Sequence, residues 1–309
     1  MNGLNSIKKY LPKSLKHLLH RVHICFIRAY VQLNPYYYAN KTYQQVFGKK
    51  LNIKNPKNLI EKIYWFQFNT NTKLWTLCAD KFRVRSYVEQ KGLGCYLNKL
   101  YGMWESVDDI DFHELPKSFV LKANNSCGQV LIVKNKSNLQ IEESRKLMKS
   151  WLSSKYGYEG AQLHYTKIRQ CIIAEELLDS GVNQSLIDYK IWCFNGKPEC
   201  ILVCYDRENA GTYKLSMYDT KWNNISHRAL NSASPHFDGQ DIPCPKNFEE
   251  MLSIATKLSK DFPEVRVDLY NIDGRIVFGE LTFTSGYGSY TRDFYNYLGS
   301  LIELPIQHK

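Results

Sequence analysis

The 309 residues hold 41 Lys or Arg against 30 Asp or Glu, a formal net charge of +11, and 44% are apolar, which excludes a disordered chain and supplies a packed core for one large domain or two to three lobes. No run approaches the ~18 consecutive apolar residues of a membrane-crossing helix, and the start lacks an uninterrupted apolar stretch ending in a small-residue cleavage site, so the cytoplasm is the expected compartment. Residues 1 to 60 contain eleven Lys or Arg and no acid, leaving 30 basic and 30 acidic groups in the remainder, so the whole charge excess belongs to an N-terminal segment.

The first predicted element is a helix over 14–33, where Leu15, Leu18, Leu19, Val22, Cys25, Phe26, Ala29 and Leu33 recur at helical spacing among Lys16, His17, His20, Arg21 and Arg28. Such a basic amphipathic helix either covers the body of the protein or lies on an anionic membrane. Asn34-Pro35 reads as a break, with an irregular basic stretch expected from there to about Leu59. One helix is predicted over 59–78 and another over 80–91, ended by Gly92 and Gly94. An acidic loop near 108–111 precedes strands at 118–123 and 129–133, then a helix over 141–156. Strands follow at 168–178, 189–194 and 199–205, the last two joined by the hairpin signal Asn195-Gly196. A strand at 213–218, a polar loop at 226–246, a helix over 247–260 and a hairpin over 264–284 complete the chain. Helices alternating with hairpins point to an α+β fold.

Several function classes find no support. The nine cysteines form no C-x-x-C pair and have no histidine at zinc-ligand spacing, so reduced apolar fillers are expected in place of a metal cluster or a disulfide framework. The basic residues sit in one amphipathic segment and do not interleave with aromatics across a sheet, which argues against nucleic acid. No G-x-S-x-G or local Cys/His signature of nucleophilic catalysis is present.

The closing hairpin admits two registers. A two-residue turn at Asp273-Gly274 pairs Val267 with Glu280 and mixes charged and apolar residues on both faces. A three-residue loop, Asp273 to Arg275, pairs Asp268 with Glu280 and sorts the faces: Val265, Val267, Leu269, Val277, Leu281 and Phe283 on one, Arg266, Asp268, Tyr270, Phe278, Glu280 and Thr282 on the other. Opposed acids about 4.5 to 5.5 Å apart at Cβ repel and call for compensation, either by a divalent cation or by solvent with Arg266 as a screen. On this reading, removal of one acid relieves repulsion and leaves the fold intact.

Lys122 ends the apolar run Phe119-Val120-Leu121 and precedes the small, polar Ala123-Asn124-Asn125-Ser126-Cys127-Gly128. That loop could bring backbone N–H groups to phosphate oxygens with Lys122 as a point charge, or Lys122 could simply snorkel from a strand end. Glu175 and Glu176 abut the apolar run Cys171-Ile172-Ile173-Ala174, an unusual place for two acids.

Taken in order, Asp80-Lys81, Phe-Val-Leu-Lys122 with its loop, Ile-Ile-Ala-Glu175-Glu176-Leu-Leu, Arg266-Val-Asp268 and Gly-Glu280-Leu-Thr282 resemble the ATP-grasp superfamily. The wording Lys122-Ala-Asn-Asn-Ser-Cys-Gly, Asp188-Tyr-Lys190-Ile-Trp-Cys-Phe-Asn-Gly and Phe-Gly-Glu280-Leu-Thr-Phe is similar to its TupA-like branch, found among polysaccharide and teichuronopeptide synthesis proteins. The resemblance covers about residues 75–305. It implies an ATP-grasp fold of two α+β lobes clasping ATP, with a basic, mainly helical segment at 1–75, a lid lobe at 76–173 and a C-terminal lobe at 174–309. It further implies ATP and Mg2+ as cofactors, with Lys81 and Lys122 on phosphates beneath a lid loop containing Asn125, Ser126 and Gly128. Glu175 and Glu176 would flank adenine, Asp188 would meet the ribose, and Lys190 would join the nucleotide site. Asp268, Glu280 and Thr282 would hold metal, Thr282 standing where the wider superfamily usually has Asn, and Arg266 with Lys122 would act at the transferred phosphoryl group.

The implied activity is ATP-dependent carboxylate–amine ligation through an acylphosphate, on a small-molecule or glycan acceptor of capsule-like or teichuronopeptide-like polysaccharide synthesis, with an amine donor. A peripheral position at the inner face of the plasma membrane follows if residues 14–33 contact lipid or a lipid-linked substrate. Glycosyl transfer from a nucleotide sugar and a non-catalytic ATP-binding scaffold are the alternatives.

Overall fold

The computed structural model describes residues 28–154, 156–158, 160–178, 185–209 and 212–305, together with Pro12, Val22 and Phe26. Most of the predicted helix over 14–33 lies outside these residues; Val22, Phe26 and 28–33 are helical. No described helix is long and apolar enough to cross a membrane.

The N-terminal third is more helical than its sequence suggests. Helix α1 (Pro35–Phe47) occupies the stretch expected to be irregular. Asn34 caps it by accepting from the Tyr37 backbone N–H at 3.1 Å, and Pro35 sits in the first turn, where its missing N–H costs nothing. The dipeptide read as a break is a start signal. The single helix expected over 59–78 is two, α2 (Leu59–Asn69) and α3 (Lys73–Ala79), divided where the Thr70 hydroxyl and N–H both donate to the Phe66 carbonyl. A capping box of Asn58 and Glu61 opens α2. Helix α4 (Val84–Gln90) begins later than expected, because the Asp80 carboxylate accepts from the Phe82 and Arg83 N–H groups and holds a turn there.

Two antiparallel sheets follow. The first consists of β1 (Leu100–Trp104), β2 (Phe119–Ala123), β3 (Val130–Val133) and β4 (Ile172–Glu175) in the order β1-β4-β2-β3. Pairing limits β4 to four residues of the longer strand expected over 168–178. Helix α5 (Ile141–Ser153) lays Met148 and Trp151 against Phe119, Leu121 and Ile172, closing the smaller of two hydrophobic cores. The second sheet, in the order β7-β6-β5-β8-β9, contains β5 (Asp188–Phe194), β6 (Lys197–Asn209), β7 (Thr212–Asp219), β8 (Glu264–Ile272) and β9 (Arg275–Thr282). The short α6 (Ser226–Ala229) precedes α7 (Phe248–Ser259), whose Met251, Ile254, Ala255 and Leu258 enter the larger core with Ile191, Val267 and Leu269. Each of these side chains larger than alanine contributes roughly 1.5 to 3 kcal/mol by leaving water. Helix α8 (Arg292–Ser300) runs against α2, with Gly299 so close to the Lys57 carbonyl that a Cβ there would collide with it. The architecture is α+β.

Candidate active site

The carboxylate hairpin achieves the expected acid pairing by an unexpected route. Strands β8 and β9 turn through Asp273 and Gly274, with φ of 52° and 97°, so that Ile272 pairs with Arg275. That is a two-residue turn of the kind requiring positive φ at both positions. Continued without interruption, it would oppose Val267 to Glu280. A register shift between Asp268 and Leu269 intervenes, leaving Gly279 as the unpaired extra residue. Beyond it Asp268 faces Glu280 and Arg266 faces Thr282. The shift corrects the face assignment at two positions: Phe278 pairs with Leu269 and joins the core, while Val277 opposes Tyr270. A Cβ on Gly279 would lie 3.0 Å from the Asp268 carbonyl oxygen and 3.3 Å from the Tyr270 ring, so the bulge is built around a residue without one.

Repulsion between the two acids is offset by cations of the chain itself. Arg266 donates from Nε to Asp268 Oδ1 at 2.6 Å and from Nη2 to Oδ2 at 2.7 Å, a bidentate fork from the same strand. Lys190, opposite Asp268 on β5, donates to Oδ2 at 2.6 Å and lies 3.4 Å from Asp188. Glu280 receives Lys81 at 3.2 Å and has Arg266 at 3.6 Å, and the Thr282 hydroxyl donates to it at 3.1 Å. Burial alone would raise the Glu280 carboxyl, but Lys81, Lys190 and Arg266 outweigh it and hold the group well below the usual carboxylate range. Burial likewise opposes the charge on Lys190, and the neighbouring Asp268 and Asp188 reverse that effect. Sequence alone admits a divalent cation, or solvent with Arg266 as a screen; Arg266 does screen Asp268, and the structure adds Lys190 at Asp268 and Lys81 at Glu280.

The other expected residues form an adjoining group. Lys122 donates to Glu175 Oε2 at 2.8 Å, an ion pair set by the β2–β4 ladder, in which Lys122 faces Ile173 and Glu175 faces Val120. Lys122 therefore meets Glu175, while Lys81 is the lysine at Glu280. Lys81 also donates to the Ser126 carbonyl at 2.8 Å, and its N–H donates to the Asn124 carbonyl at 2.9 Å, which ties the small-residue loop to the acid pair. Within that loop Asn125 is buried with an unpartnered Oδ1, the Ser126 hydroxyl donates to Gln129, and Gly128 has a φ of 79°. Glu176 binds Arg275 at 2.8 Å at the outer end of the hairpin.

Three participants have no signal in local sequence. Arg85 lies 3.6 Å from Glu175, Arg207 lies 2.9 Å from Asp188, and the Ser285 hydroxyl accepts from Arg266. Each reaches the site through tertiary contact alone. Lys81, Arg85, Lys122, Lys190, Arg207 and Arg266 thus face Glu175, Asp188, Asp268 and Glu280, six cations to four anions among the described residues, an excess of two positive charges. A charge cluster of this sign attracts a polyanion such as a triphosphate. Among the described residues no group of three or more His, Cys, Asp or Glu converges on one point. Two opposed carboxylates with a hydroxyl beside them nonetheless match magnesium, which usually takes one or two protein carboxylates and completes its shell with water and phosphate oxygens.

A family model described as TupA-like ATPgrasp matches residues 61–303. No curated protein matches the chain. Among solved structures it is similar to D-cycloserine synthetase, at 11% identity over 77% of this chain and 76% of that one, with a TM-score of 0.46. It is also similar to the ATP complex of D-alanine–D-alanine ligase from Bacillus anthracis, at 13% identity over 68% of this chain and a TM-score of 0.41. The chain spans only 56% of that ligase's length. A third likeness is to N5-carboxyaminoimidazole synthase from Aspergillus clavatus in complex with ADP and its ribonucleotide, at 10% identity over 72% of this chain and 49% of that one, with a TM-score of 0.40.

Proposed function

The chain belongs to the TupA-like ATP-grasp family, and on that premise we propose that it is an ATP- and magnesium-dependent ligase joining a carboxylate to an amine in the synthesis of a cell-surface polysaccharide. The observation that carries the reading is the Asp268–Glu280 pair, opposed across the β8–β9 ribbon and gripped by Arg266, Lys190 and Lys81. Asp268 and Glu280, with Thr282 beside them, are the residues that would hold magnesium, which when bound supplies neutralisation of triphosphate charge. Lys122 and Lys81 bind phosphate oxygens, and the loop with Asn125, Ser126 and Gly128 closes over them. Glu175 and Glu176 lie on the adenine side, with Asp188 at the ribose. Arg266 meets the transferred phosphoryl group and, with its guanidinium fixed on Asp268 and Ser285, is oriented before substrate arrives.

In the proposed reaction an acceptor carboxylate oxygen attacks the γ-phosphorus and ADP leaves with the electrons of the broken P–O bond. The amine then attacks the acyl carbon of the resulting acylphosphate, inorganic phosphate leaves, and the amine loses its proton. ADP release that requires both magnesium and a carboxylate acceptor is the expected result. Stabilisation by a UDP-sugar in preference to ATP would assign glycosyl transfer instead, and ATP binding without ADP release in the presence of any carboxylate would assign a scaffold.

We also place the chain at an anionic membrane surface. Val22, Phe26 and Leu33 are 56%, 74% and 83% exposed, and Tyr37 on the next helix is half exposed. These apolar side chains recur at helical spacing within a segment free of acids.

A further inference from the structure

The acid pair belongs to a longer row of charges that crosses the second sheet and alternates in sign without a gap. From β6 inward the row runs Arg207, Asp188, Lys190, Asp268, Arg266, Glu280, Lys81, with 2.9, 3.4, 2.6, 2.6, 3.6 and 3.2 Å between successive members. Four cations stand against three anions, so the row by itself carries one net positive charge. Its outer end depends on an irregularity in β6. The pairing with β7 shifts between Tyr205 and Asn209, and Asp206 takes a φ of 51°, uncommon for a residue other than glycine. Lys214 lies 3.2 Å from the Asp206 carboxylate, and the Arg207 N–H donates to the Ser185 hydroxyl at 3.2 Å. Along an unbroken strand Arg207 would share the face of Tyr205, opposite to that of Cys204. Past the irregularity its Nη2 instead lies 3.2 Å from Cys204 Sγ and 2.9 Å from Asp188, the residue that Cys204 faces on β5. Asp188 is thereby a buried anion fixed by an arginine on its far side.

Lys190 stands between two such anions. Arg266 grips both Asp268 oxygens with a planar fork, whereas Lys190 meets Oδ2 alone, through a single ammonium on a flexible stem. Of the two cations on Asp268, Lys190 is the one with another carboxylate beside it, Asp188 Oδ2 at 3.4 Å. That second anion matters, because a buried ammonium left without a partner is costly. We propose that Lys190 is a displaceable resident cation of the metal site, which neutralises Asp268 until magnesium arrives with the nucleotide, then yields Asp268 Oδ2 and turns to Asp188. The proposal rests on the reading of Asp268 and Glu280 as the magnesium-holding pair and adds the order in which that pair is filled. Lys190, Arg266 and Lys81 already lie on the two acids, so a bare divalent ion meets a positive cluster and is repelled. The same ion carried by a triphosphate brings negative charge with it and is attracted. Lys190 acts through Asp268 and is a positioning residue that keeps free magnesium out of the pair.

The test is calorimetric titration of magnesium chloride into the full chain without nucleotide, on wild type, Lys190→Met and Lys190→Arg. Methionine keeps an unbranched apolar stem and removes the charge, while Asp268 keeps Arg266 and Asp188 keeps Arg207. Lys190→Met is expected to bind free magnesium about tenfold or more tighter than wild type, since one like charge has gone from beside the ion. Lys190→Arg retains the charge and is expected to bind it as weakly as wild type. A lysine with a merely structural role would not strengthen metal binding when removed. Should Lys190→Met not fold by circular dichroism, Lys190→Gln takes its place in the same titration. Failure of both to fold would show an ammonium that cannot leave its place and would overturn the proposal. Free-magnesium affinity in the uncharged variant equal to or weaker than that of wild type overturns it as well. Absence of magnesium-dependent ATP binding to wild type would instead count against the ligase reading, and tighter free magnesium in Lys190→Met would still uphold the displacement.

Discussion

Asp268 and Glu280 carry the same charge across the same ladder, yet their surroundings assign them opposite tolerance to substitution. Asp268 is buried and is the nearest anion to both Arg266 and Lys190, so Asp268→Asn leaves two buried cations with only the more distant Glu280, 3.6 Å from Arg266, and Asp188, 3.4 Å from Lys190. Removing one partner of a buried ion pair costs about 3 to 5 kcal/mol. Glu280 leaves 35% of its side chain exposed, and its cations have other partners: Arg266 keeps Asp268, and Lys81 keeps the Ser126 carbonyl. Urea unfolding should therefore show a large loss for Asp268→Asn and a loss of less than about 1.5 kcal/mol for Glu280→Gln, although both abolish ADP release. Equal stability of the two variants would contradict the cation grip. From sequence alone both substitutions were expected to relieve repulsion, because Lys190 reaches Asp268 from a strand 78 residues away in the chain. The residue types of the site were legible; their partners, and the contributions of Arg85, Arg207 and Ser285, depend on how strands are ordered within each sheet.

The hairpin shows what sequence patterning sees in an element and what it misses. Asp273-Gly274 announces a two-residue turn, and period-two alternation announces that Asp268 and Glu280 share a face; an unbroken ladder allows only one of these. Gly279 reconciles them by absorbing one residue as a bulge. Its lack of a side chain is the sole local hint, and a strand glycine can equally mark a tight bend or the close approach of another backbone or a ligand. Gly279→Ala should therefore act on the site through the element. The added Cβ meets the Asp268 carbonyl and the Tyr270 ring, so a stability loss of about 1 to 3 kcal/mol is expected together with loss of magnesium-dependent ADP release. An alanine variant with normal stability and activity would show that the bulge has no steric basis. The same distinction explains α1: Asn-Pro is a stop signal in isolation and a capped start once helix follows. By contrast, β2, β5 and α7 fall within a residue or so of their predicted limits, because each has clear periodicity and a strong boundary signal.

At the scale of the whole molecule, two buried groups make stability depend on pH in opposite senses. His164 has both ring nitrogens buried without partners among the described residues, and burial lowers its pKa from 6.5 to about 3. Its folded-state value is depressed, so its contribution is complete above the unfolded value and drains away as pH falls from 6.5 toward 3. Glu264 is equally buried and unpartnered, and burial pushes its carboxyl well above the usual range, so it disfavours the fold as pH rises instead. Comparison of variants separates them. Between pH 7 and pH 5 wild type should lose about 2 kcal/mol more than His164→Leu, from linkage at 1.36 kcal/mol per pKa unit. Parallel pH profiles would mean that His164 is not held neutral. The charge asymmetry of the chain gives another whole-molecule expectation: the full protein should co-sediment with phosphatidylserine-containing vesicles and not with phosphatidylcholine vesicles. Phe26→Ser combined with Leu33→Ser should reduce that binding several-fold, and binding unaffected by the double change would remove the membrane assignment.

The central claim is that Asp268 and Glu280 together bind magnesium carried by ATP, and the most direct measurement is titration calorimetry of ATP with and without magnesium on wild type and Glu280→Gln. Magnesium is predicted to tighten ATP binding to wild type by tenfold or more and to have little effect on the folded Glu280→Gln variant. ATP binding to wild type that is indifferent to magnesium, or an equal magnesium effect on both proteins, would contradict the account.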